Sequence, residues 1–470
     1  VYGSPGEVVS ERAGGICGRP PLQGKGGKER LFPVRVHQVG PGPALPEQEE
    51  LHRPHLRISL LRTLAPDVHR WRGQMKYRLL DALVCPRCRY PLECEPFLAI
   101  TVRRLDNKIL SPACHYRCYK EGINLTSFNK PSGIDCEDCY RFEVIDGLLR
   151  CNNCASWYPI IGGIPRMLLG DLMDNVFKSH QDFVMKYQSK LPASYQGTPY
   201  TASKLHQRRT MESFGFEWTS FADYSADNFR DFIRPLPPNF FVGKVGLDAG
   251  CGAGRHLREA SKRGAEMFGV DLSAAVEVAF ENNRDINRVH IIQADIYNLP
   301  FRPSYFDFIY SLGVLQHLPD PQKGFNSLLP FLKPRGTIFI WVYYRSFRKR
   351  LMEWIRKVST KLSSKSQYYL ALLCALIDYG ILVNTYKITT KVRPLKRWVE
   401  LISPPRIKEY ASYNFRVSHA DWFDRLSAPI THFFTEDEVR RWFEDSGCLK
   451  EVRIIPFEDF WWWGSGVKEL

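Results

Sequence analysis

The sequence predicts an α/β protein in which a Rossmann-like parallel sheet carries a helical cap and follows a small cysteine-rich domain. Strand and helix patterns alternate along residues 241–343, as they do in a parallel sheet. The apolar run that begins at Val245 ends in Asp248 and a glycine-rich turn, which is the pattern of a buried strand followed by a ligand-binding turn. Nine of the 13 cysteines lie between Cys85 and Cys154, which indicates a separate module.

The chain divides into six predicted segments. Its 470 residues suffice for two or three domains, and its hydrophobic content of 44% suffices for their cores. The segments are a disordered, basic, Gly- and Pro-rich extension (1–74), the cysteine-rich module (75–170), a helical aromatic linker with the N-terminal part of the α/β domain (171–240), the α/β core (241–343), a basic helical cap insertion (344–430), and a final helix and strand (431–470). Alternatives for 1–74 are an over-extended reading frame or a basic tail that binds a partner.

Charge and cysteine content narrow the classes of partner and compartment. The formal net charge of +15 favours an anionic partner such as nucleic acid, a phosphorylated substrate or a membrane surface; the alternative is a soluble protein with a basic tail. Paired cysteines beside a cofactor fold favour metal binding in a reducing compartment. We therefore expect a cytoplasmic protein, with a peripheral position at a membrane as the alternative. No uncharged apolar run reaches the ~20 residues that span a bilayer, so we expect no transmembrane segment.

The glycine-rich turn fits two cofactors, a dinucleotide and S-adenosylmethionine. Asp248 at its mouth would repel a pyrophosphate and attract an ammonium group, so its charge favours S-adenosylmethionine. Asp271 ends the second predicted strand and suits the ribose hydroxyls. Asp295 and Ile296 end the third, where they suit the amino group and the face of adenine.

Four motifs in this region carry a family resemblance. They are Leu-Asp-Ala-Gly-Cys-Gly-Ala-Gly (247–254), Gly-Val-Asp-Leu-Ser (269–273), Asp-Ile-Tyr-Asn-Leu-Pro-Phe (295–301) and Gly-Val-Leu-Gln-His-Leu (313–318). The run resembles class I S-adenosylmethionine-dependent methyltransferases of the broad small-molecule group, which implies a seven-strand-type sheet. The resemblance implies cofactor contacts at Asp248, Gly250, Gly252, Asp271, Asp295 and Ile296, and we add their neighbours Cys251, Gly254, Leu272 and Ser311 as candidates. The alternative for Cys251 is a small apolar filler, and the alternative for the domain is a doubly wound fold without a cofactor.

Methyl transfer from a sulfonium is an in-line displacement that needs alignment of the acceptor and exclusion of water. A general base is needed only when the acceptor is protonated. His317 follows the fourth strand and is a candidate base; the favoured alternative is a structural histidine, because the family carries it across unrelated substrates. No Asn-Pro-Pro-Tyr or Pro-Cys follows that strand. We therefore expect transfer to an oxygen or nitrogen, or less readily a carbon, of a small molecule, a glycan precursor or a lipid.

The cysteines are spaced as metal ligands. Three Cys-x2-Cys pairs and one Cys-x3-Cys pair can each place two thiolates on one ion, so eight ligands suggest two zinc ions. The candidate ligands are Cys85, Cys88, Cys114, Cys118, Cys136, Cys139, Cys151 and Cys154. An iron–sulfur cluster and a redox dithiol are the alternatives.

Two segments of the cysteine-rich module resemble the zinc-ribbon family that activates tRNA and release-factor methyltransferases. They run from Leu79 to Cys88, and from Gly147 through Cys154 to Met167. The resemblance implies one zinc held by the first and last Cys-x2-Cys pairs and a second held by the other four cysteines. Pairing of Cys136 and Cys139 with the last pair stays open. We expect the ribbon to cover apolar surface of the α/β domain or to present substrate.

The insertion after the fifth strand combines an apolar run, 368–383, with several cations between Lys387 and Arg397. We interpret it as a helical cap over the active site. Alternatives are an interfacial segment that meets anionic lipid and admits a lipid-linked substrate, and a nucleic-acid surface. Two other functions stay open: a tRNA or protein methyltransferase with its activating ribbon in the same chain, and a non-catalytic zinc-binding scaffold.

Overall fold

A computed structural model describes residues 75–101, 114, 116–119, 123–125, 136–192, 202–222, 229–345, 355–457 and 461–470. The predicted extension, 1–74, lies outside the described residues. The described strands are β1 (Met75–Lys76), β2 (Glu93–Thr101), β3 (Arg117–Cys118), β4 (Ile123–Asn124), β5 (Phe142–Arg150), β6 (Trp157–Ile161), β7 (Ile164–Met167), β8 (Val245–Ala249), β9 (Glu266–Asp271), β10 (Val289–Ala294), β11 (Phe306–Leu312), β12 (Leu332–Tyr343), β13 (Leu449–Phe457) and β14 (Trp461–Lys468).

The helices of the described chain pack beside these strands. They are α1 (Glu137–Arg141), α2 (Asp171–Ser179), α3 (Gln181–Lys186), α4 (Ala202–Ser220), α5 (Phe229–Ile233), α6 (Arg255–Lys262), α7 (Ala275–Asn283), α8 (Pro321–Leu328), α9 (Ser364–Ala375), α10 (Asn384–Thr389), α11 (Arg393–Ile402), α12 (Pro405–Tyr410), α13 (Phe415–Ser427) and α14 (Glu436–Glu444). A π-helical segment, Leu376–Val383, joins α9 to α10.

The C-terminal part of the sheet has the order β10-β9-β8-β11-β12-β14-β13. Strands β8 to β12 pair in parallel, and β14 is antiparallel to both of its neighbours. Parallel strands need helical crossovers, which is why strand and helix patterns alternate in this part of the sequence. The predicted Rossmann-like, seven-strand-type sheet is confirmed.

Most described strands of the cysteine-rich module belong to the central sheet, and only β3 and β4 pair with each other apart from it. Strands β5, β6 and β7 lead into the edge of the central sheet, where β7 pairs in parallel with β10. A second junction lies at Leu83, which forms an antiparallel bridge with Phe301, and at Val84, whose amide donates to the Pro300 carbonyl at 2.8 Å. The two regions therefore share backbone hydrogen bonds as well as a hydrophobic core.

A buried ionic network also joins them. Arg78, of which 0% is exposed, donates to Glu266 at 3.0 Å, to Asp81 at 3.2 Å and to the Tyr305 hydroxyl at 2.7 Å. The Tyr140 hydroxyl donates to the other oxygen of Glu266 at 2.9 Å. Burial alone would raise the pKa of Glu266, but the charge of Arg78 outweighs it and holds that pKa below its usual value. Both carboxylates therefore share one guanidinium, and each also contacts further partners, Asp81 the Tyr116 amide and Glu266 the His290 ring.

The insertion forms the predicted helical cap. α9 packs on α13 through a cluster that includes Phe221, Ala371 and Phe423. The continuous helix Ser364–Thr389 is long and apolar enough, by length and composition, to cross a membrane, and 22% of its most apolar stretch is buried. The helix includes Lys365, Asp378 and Lys387, so it is not an uncharged apolar run of ~20 residues, and the expectation of no transmembrane segment stays a prediction.

Candidate functional site

The glycine-rich turn leaves β8 and enters α6 in a conformation that favours glycine. Gly250, Gly252 and Gly254 all have positive φ angles, of 91°, 51° and 75°. A Cβ atom at Gly250 would lie 2.5 Å from the Val314 side chain, and one at Gly252 would lie 3.1 Å from the Trp218 ring. The turn is therefore packed on both sides at a distance that only glycine allows.

The turn borders an open cleft of about 950 Å³ at the carboxyl edge of the parallel strands. Ligands bind at this edge in open α/β sheets. The cleft brings together eight of the sequence-predicted residues, namely Gly250, Cys251, Gly252, Asp271, Leu272, Asp295, Ile296 and His317. Their chemical roles stay predictions.

Asp271 is held in place by hydrogen bonds along the floor of the cleft. Its Oδ1 accepts from the Ser273 amide at 2.8 Å and hydroxyl at 2.7 Å, and its Oδ2 accepts from the Gly252 amide at 3.0 Å. Burial raises the pKa of Asp271, and these bonds oppose the rise. The carboxylate thereby links the glycine turn to the end of β9.

Asp295 directly follows β10, and its carboxylate is also held by hydrogen bonds from the next residues. It caps a short 3-10 turn, Ile296–Asn298, by accepting from the Tyr297 amide at 3.1 Å and from the Asn298 side chain at 3.1 Å. Ile296 follows directly and lines the cleft beside it. A hydrogen-bond acceptor, Asp295, and an apolar side chain, Ile296, therefore line the cleft next to each other.

Asp248, Gly254 and Ser311 do not line the cleft. The Ser311 hydroxyl is committed to the Ala249 carbonyl at 2.8 Å, so it holds the sheet together and is not available to a ligand. Gly254 packs against α7, where a Cβ atom would lie 2.5 Å from the Asn283 side chain. Both positions support the structure beside the cleft, and their role as cofactor contacts stays a prediction.

Asp248 has a different environment, directly below the glycine turn. It is 1% exposed, and its Oδ2 has no hydrogen-bond partner. Burial raises its pKa to about 8. A hydrogen bond with the Tyr310 hydroxyl opposes this rise, and a nearby cation would stabilise the charged form further. Asp248 therefore fits the predicted role as a partner for an ammonium group at the turn.

His317 lies in the wall of the cleft between the α/β core and the cap. Its Nδ1 donates to the Ile430 carbonyl at 2.8 Å, and its Nε2 is 4.0 Å from Asp424 Oδ1. Its ring makes edge contacts with Phe214 and Tyr343. Burial lowers the pKa of His317, and the charge of Asp424 offsets this only in part. The ring is therefore fixed, neutral near pH 7, and has an unprotonated Nε2.

The sequence analysis did not predict the residues that α4 and α13 contribute in and near the cleft. Phe214 and Trp218, one turn apart on α4, line the cleft, and their spacing of four was the only available signal. Glu217 on the same helix is 3% exposed with an unpaired Oε2. Burial, followed by the charges of Asp424 and Asp421 on α13, raises its pKa well above the ordinary value. No sequence pattern links α4 to α13, which lie about 200 residues apart.

Four cysteines of the cysteine-rich module form a second candidate site. The Sγ atoms of Cys85, Cys88, Cys151 and Cys154 all lie within 4.8 Å of one another. Cys85 Sγ is 3.6 Å from Cys154 Sγ, and Cys88 Sγ is 3.4 Å from Cys151 Sγ. The cluster can hold a metal ion. It joins the first and last Cys-x2-Cys pairs, and Cys136 and Cys139 are not part of it.

The other four predicted ligands do not meet in this way. Cys114, Cys118, Cys136 and Cys139 are all buried, but among the residues that can be described their sulfur atoms do not form a metal-binding group. Cys114 and Cys118 instead pack with Leu125 in a small apolar cluster. The second zinc stays a prediction.

Comparison with known families agrees with both sites. A family model described as "Methyltransferase domain" matches residues 247–340, and one described as "Trm112p-like protein" matches residues 76–163. The chain joins a Trm112p-like domain to a class I methyltransferase domain. The first contains the cysteine cluster and the second contains the cleft.

Individual relatives match about a quarter of the chain. A ubiquinone biosynthesis O-methyltransferase of Coxiella burnetii is 32% identical over 111 residues, which are 23% of this chain and 47% of that protein. A phosphoethanolamine N-methyltransferase 2 of Caenorhabditis elegans is 31% identical over 115 residues, or 23% and 26% of the two chains. The chain therefore covers less than half of the length of each of these two relatives. Among solved structures, a Burkholderia thailandensis 1,6-didemethyltoxoflavin-N1-methyltransferase is 15% identical, with 58% and 94% of the two chains covered and a TM-score of 0.36.

A chain of side-chain hydrogen bonds connects the cysteine-rich module to the floor of the cleft. Arg166 on β7, 1% exposed, donates to Gln293 Oε1 at 3.1 Å and to Glu277 at 2.5 Å. Gln293 Nε2 in turn donates to the carbonyls of Leu272 and Ser273 at 3.0 and 3.3 Å. Arg166 of the cysteine-rich module thus supports the turn that follows Asp271.

Proposed function

We propose that this chain is an S-adenosylmethionine-dependent methyltransferase that acts on an oxygen or nitrogen of a small molecule, a glycan precursor or a lipid. The observation that carries the proposal is the cleft at the carboxyl edge of the sheet, where the glycine turn, Asp271 and Asp295 stand on one side and His317 on the other. The partial relatives, which include an O- and an N-methyltransferase by name, support the same reaction.

The cofactor would be held by the residues that line or underlie the glycine turn. Asp271 would accept from the ribose hydroxyls, and Asp295 with Ile296 would hold the adenine. The unpaired oxygen of Asp248 supports a cationic group nearby. S-adenosylmethionine, when bound, supplies an activated methyl group. The protein's own task is then to align the acceptor and exclude water, which the aromatic wall formed by Phe214 and Trp218 favours.

We propose His317 as the general base for a protonated acceptor. Its Nδ1 donates to a carbonyl, so the neutral ring presents Nε2 as the basic atom. Asp424 stands 4.0 Å from that atom and would stabilise the imidazolium that forms. The carboxyl groups near it on α4 and α13 support an acceptor with hydroxyl or amino groups.

His317→Gln is expected to lower kcat by about 100-fold, because general-base catalysis contributes about 10²–10⁴-fold. In the unsubstituted chain, kcat/KM should fall as the pH drops through the lowered pKa of His317, below 6.5, because the proton blocks Nε2. The variant should lose this acidic limb and keep its affinity for S-adenosylmethionine. His432→Gln, a nearby histidine outside the cleft, is the control. An unchanged kcat and pH profile in His317→Gln would show that the histidine is structural.

We propose that the cysteine cluster holds one zinc ion. Tetrahedral zinc with bonds of about 2.3 Å separates its sulfur ligands by about 3.8 Å. The distances of 3.6 Å between Cys85 and Cys154 and 3.4 Å between Cys88 and Cys151 are close to this value. The zinc would hold together the turn that carries Cys85 and Cys88 and the turn that carries Cys151 and Cys154.

A second candidate function is methylation of tRNA or protein, favoured by the Trm112p-like domain in the same chain. Incubation of the full chain with fractionated cell extract and methyl-labelled S-adenosylmethionine distinguishes the candidates. We expect label in the small-molecule or lipid fraction. Label in RNA or protein would replace the first candidate with the second, and absence of label in every fraction would favour a non-catalytic scaffold.

A further inference from the structure

We propose that the outer face of the cap docks on the surface of an anionic lipid bilayer, with its helices lying in the membrane plane. We define the outer face by six large apolar side chains that are each 53–75% exposed: Leu373, Ile377, Ile381, Ile388, Trp398 and Leu401. Soluble monomers seldom expose so many large apolar side chains in so short a segment. Burial of these side chains in a membrane would remove the free-energy cost of their exposure to water.

The long helix has two distinct faces. Ala371, Ala375, Tyr379 and Val383 lie on its inner face and are buried at a constant spacing of four residues. An α-helix turns by about 100° per residue, so this spacing would drift around its surface. The wider π-helical turns at 376–383 offset the drift and keep the inner face against the protein. The outer face is apolar as well, although it has no cover among the described residues.

Polar contacts hold the long helix in this orientation. Asp378 pairs with Arg406 of α12 at 2.5 Å and accepts from the Trp422 ring nitrogen of α13 at 2.9 Å. The Tyr379 hydroxyl donates to the Tyr413 carbonyl at 2.6 Å. A helix that crossed a bilayer would have to leave these partners and carry a carboxylate into hydrocarbon. The contacts therefore favour a helix that lies on the membrane with only its outer face immersed.

Helix α11 has the composition of an interfacial helix. None of its residues is buried. Leu395, Trp398 and Leu401 recur at intervals of three and lie on one face. Lys396 lies on the opposite face, where it pairs with Glu400 at 3.9 Å, and Arg397 lies at the border between the two faces. Tryptophan is enriched where membrane meets water, and cations beside such a helix favour anionic headgroups.

The charge around the outer face selects lipid over the alternatives. Residues 387–397 contain five cations and no acidic residue. Nucleic acid would match this charge but leave the apolar side chains in water. A second copy of the chain would match the apolar side chains but bring the same cations together. An anionic bilayer satisfies both features.

Vesicle flotation with the full chain tests this docking without any need for methyltransferase activity. We expect binding to vesicles of phosphatidylcholine with one third phosphatidylserine, and much weaker binding to phosphatidylcholine alone. Lys396→Gln/Arg397→Gln should weaken binding to the anionic vesicles about 30-fold, since each cation near the surface contributes about fivefold. Trp398→Ser/Leu401→Ser, and separately Ile377→Ser/Ile381→Ser, should weaken it at least about tenfold.

Met185→Ser/Val242→Ser is the matched control, because both side chains are strongly exposed but lie outside the cap. It should bind as the unsubstituted chain does, and thermal unfolding should show that all variants fold. Three results would overturn the proposal: no binding to anionic vesicles, equal binding of the apolar variants and the control, or self-association of the chain that Trp398→Ser/Leu401→Ser abolishes. Binding to RNA that depends on Lys396 and Arg397 but not on Trp398 would also overturn it, in favour of a nucleic-acid surface.

Discussion

Arg78→Met is expected to lower the free energy of unfolding by about 3–5 kcal/mol, because removal of one partner leaves buried charges without compensation. Arg78 is 0% exposed and is the shared partner of Glu266 and Asp81. Methionine occupies a similar length but carries no charge and no donor. The loss is therefore electrostatic and does not come from a cavity.

Urea denaturation of the two chains measures this loss. Arg150→Met is the matched control in the same domain, because its pair with Glu95 is exposed and should contribute less than about 1 kcal/mol. The double variant Arg78→Met/Glu266→Gln should recover part of the loss, since it also removes the stranded carboxylate. A stability of Arg78→Met within about 1 kcal/mol of the unsubstituted chain would contradict the electrostatic account of this network.

Cys154→Ser is expected to release the proposed zinc and to destabilise the two Cys-x2-Cys turns that form the cluster. Structural zinc contributes about 10–16 kcal/mol in small peptides, so even part of this is large beside a total stability of about 5–15 kcal/mol. Cys85 and Cys151 are buried with their sulfur atoms in the cluster, where Cys85 Sγ contacts Cys154 Sγ and the Tyr158 hydroxyl and Cys151 Sγ contacts Cys88 Sγ.

Atomic spectroscopy for zinc and thermal unfolding test this prediction together. The unsubstituted chain should carry zinc, and Cys154→Ser should lose one ion per chain with a lower Tm. Cys374→Ser, at a cysteine of the cap outside the cluster, should change neither. Equal zinc content and equal Tm in Cys154→Ser would contradict the site, and zinc that remains after loss of the first ion would support the second predicted set.

The local elements of the methyltransferase domain were predictable because each is encoded in a short stretch. Asp271 and Asp295 both end apolar runs, and in a parallel sheet such ends meet at one edge. Their position in one cleft follows from that rule. Ser311 also ends a strand, but its side chain turns into the sheet, and strand-end patterns do not predict that orientation.

The long-range features were not predictable from one sequence. Arg78 looks like an ordinary cation in a short polar stretch, and only the fold brings Glu266, 188 residues away, to its side. The pairing of β7 with β10 involves two strands that are each typical of their own domain. The continuity of the helix Ser364–Thr389 through Asp378 was not predictable for a related reason, since Asp378 has its charge partner on α12.

Titration calorimetry of the full chain with S-adenosylmethionine tests the central claim most directly. We expect one binding site per chain, and a loss of affinity of about 100-fold in Asp271→Asn, because a charge-assisted hydrogen bond contributes about 1.5–3 kcal/mol. Asp285→Asn, an exposed carboxylate paired with Arg258 in the same domain, should bind as tightly as the unsubstituted chain. If the unsubstituted chain takes up no S-adenosylmethionine, or if Asp271→Asn binds it with unchanged affinity, the cleft is not the cofactor site.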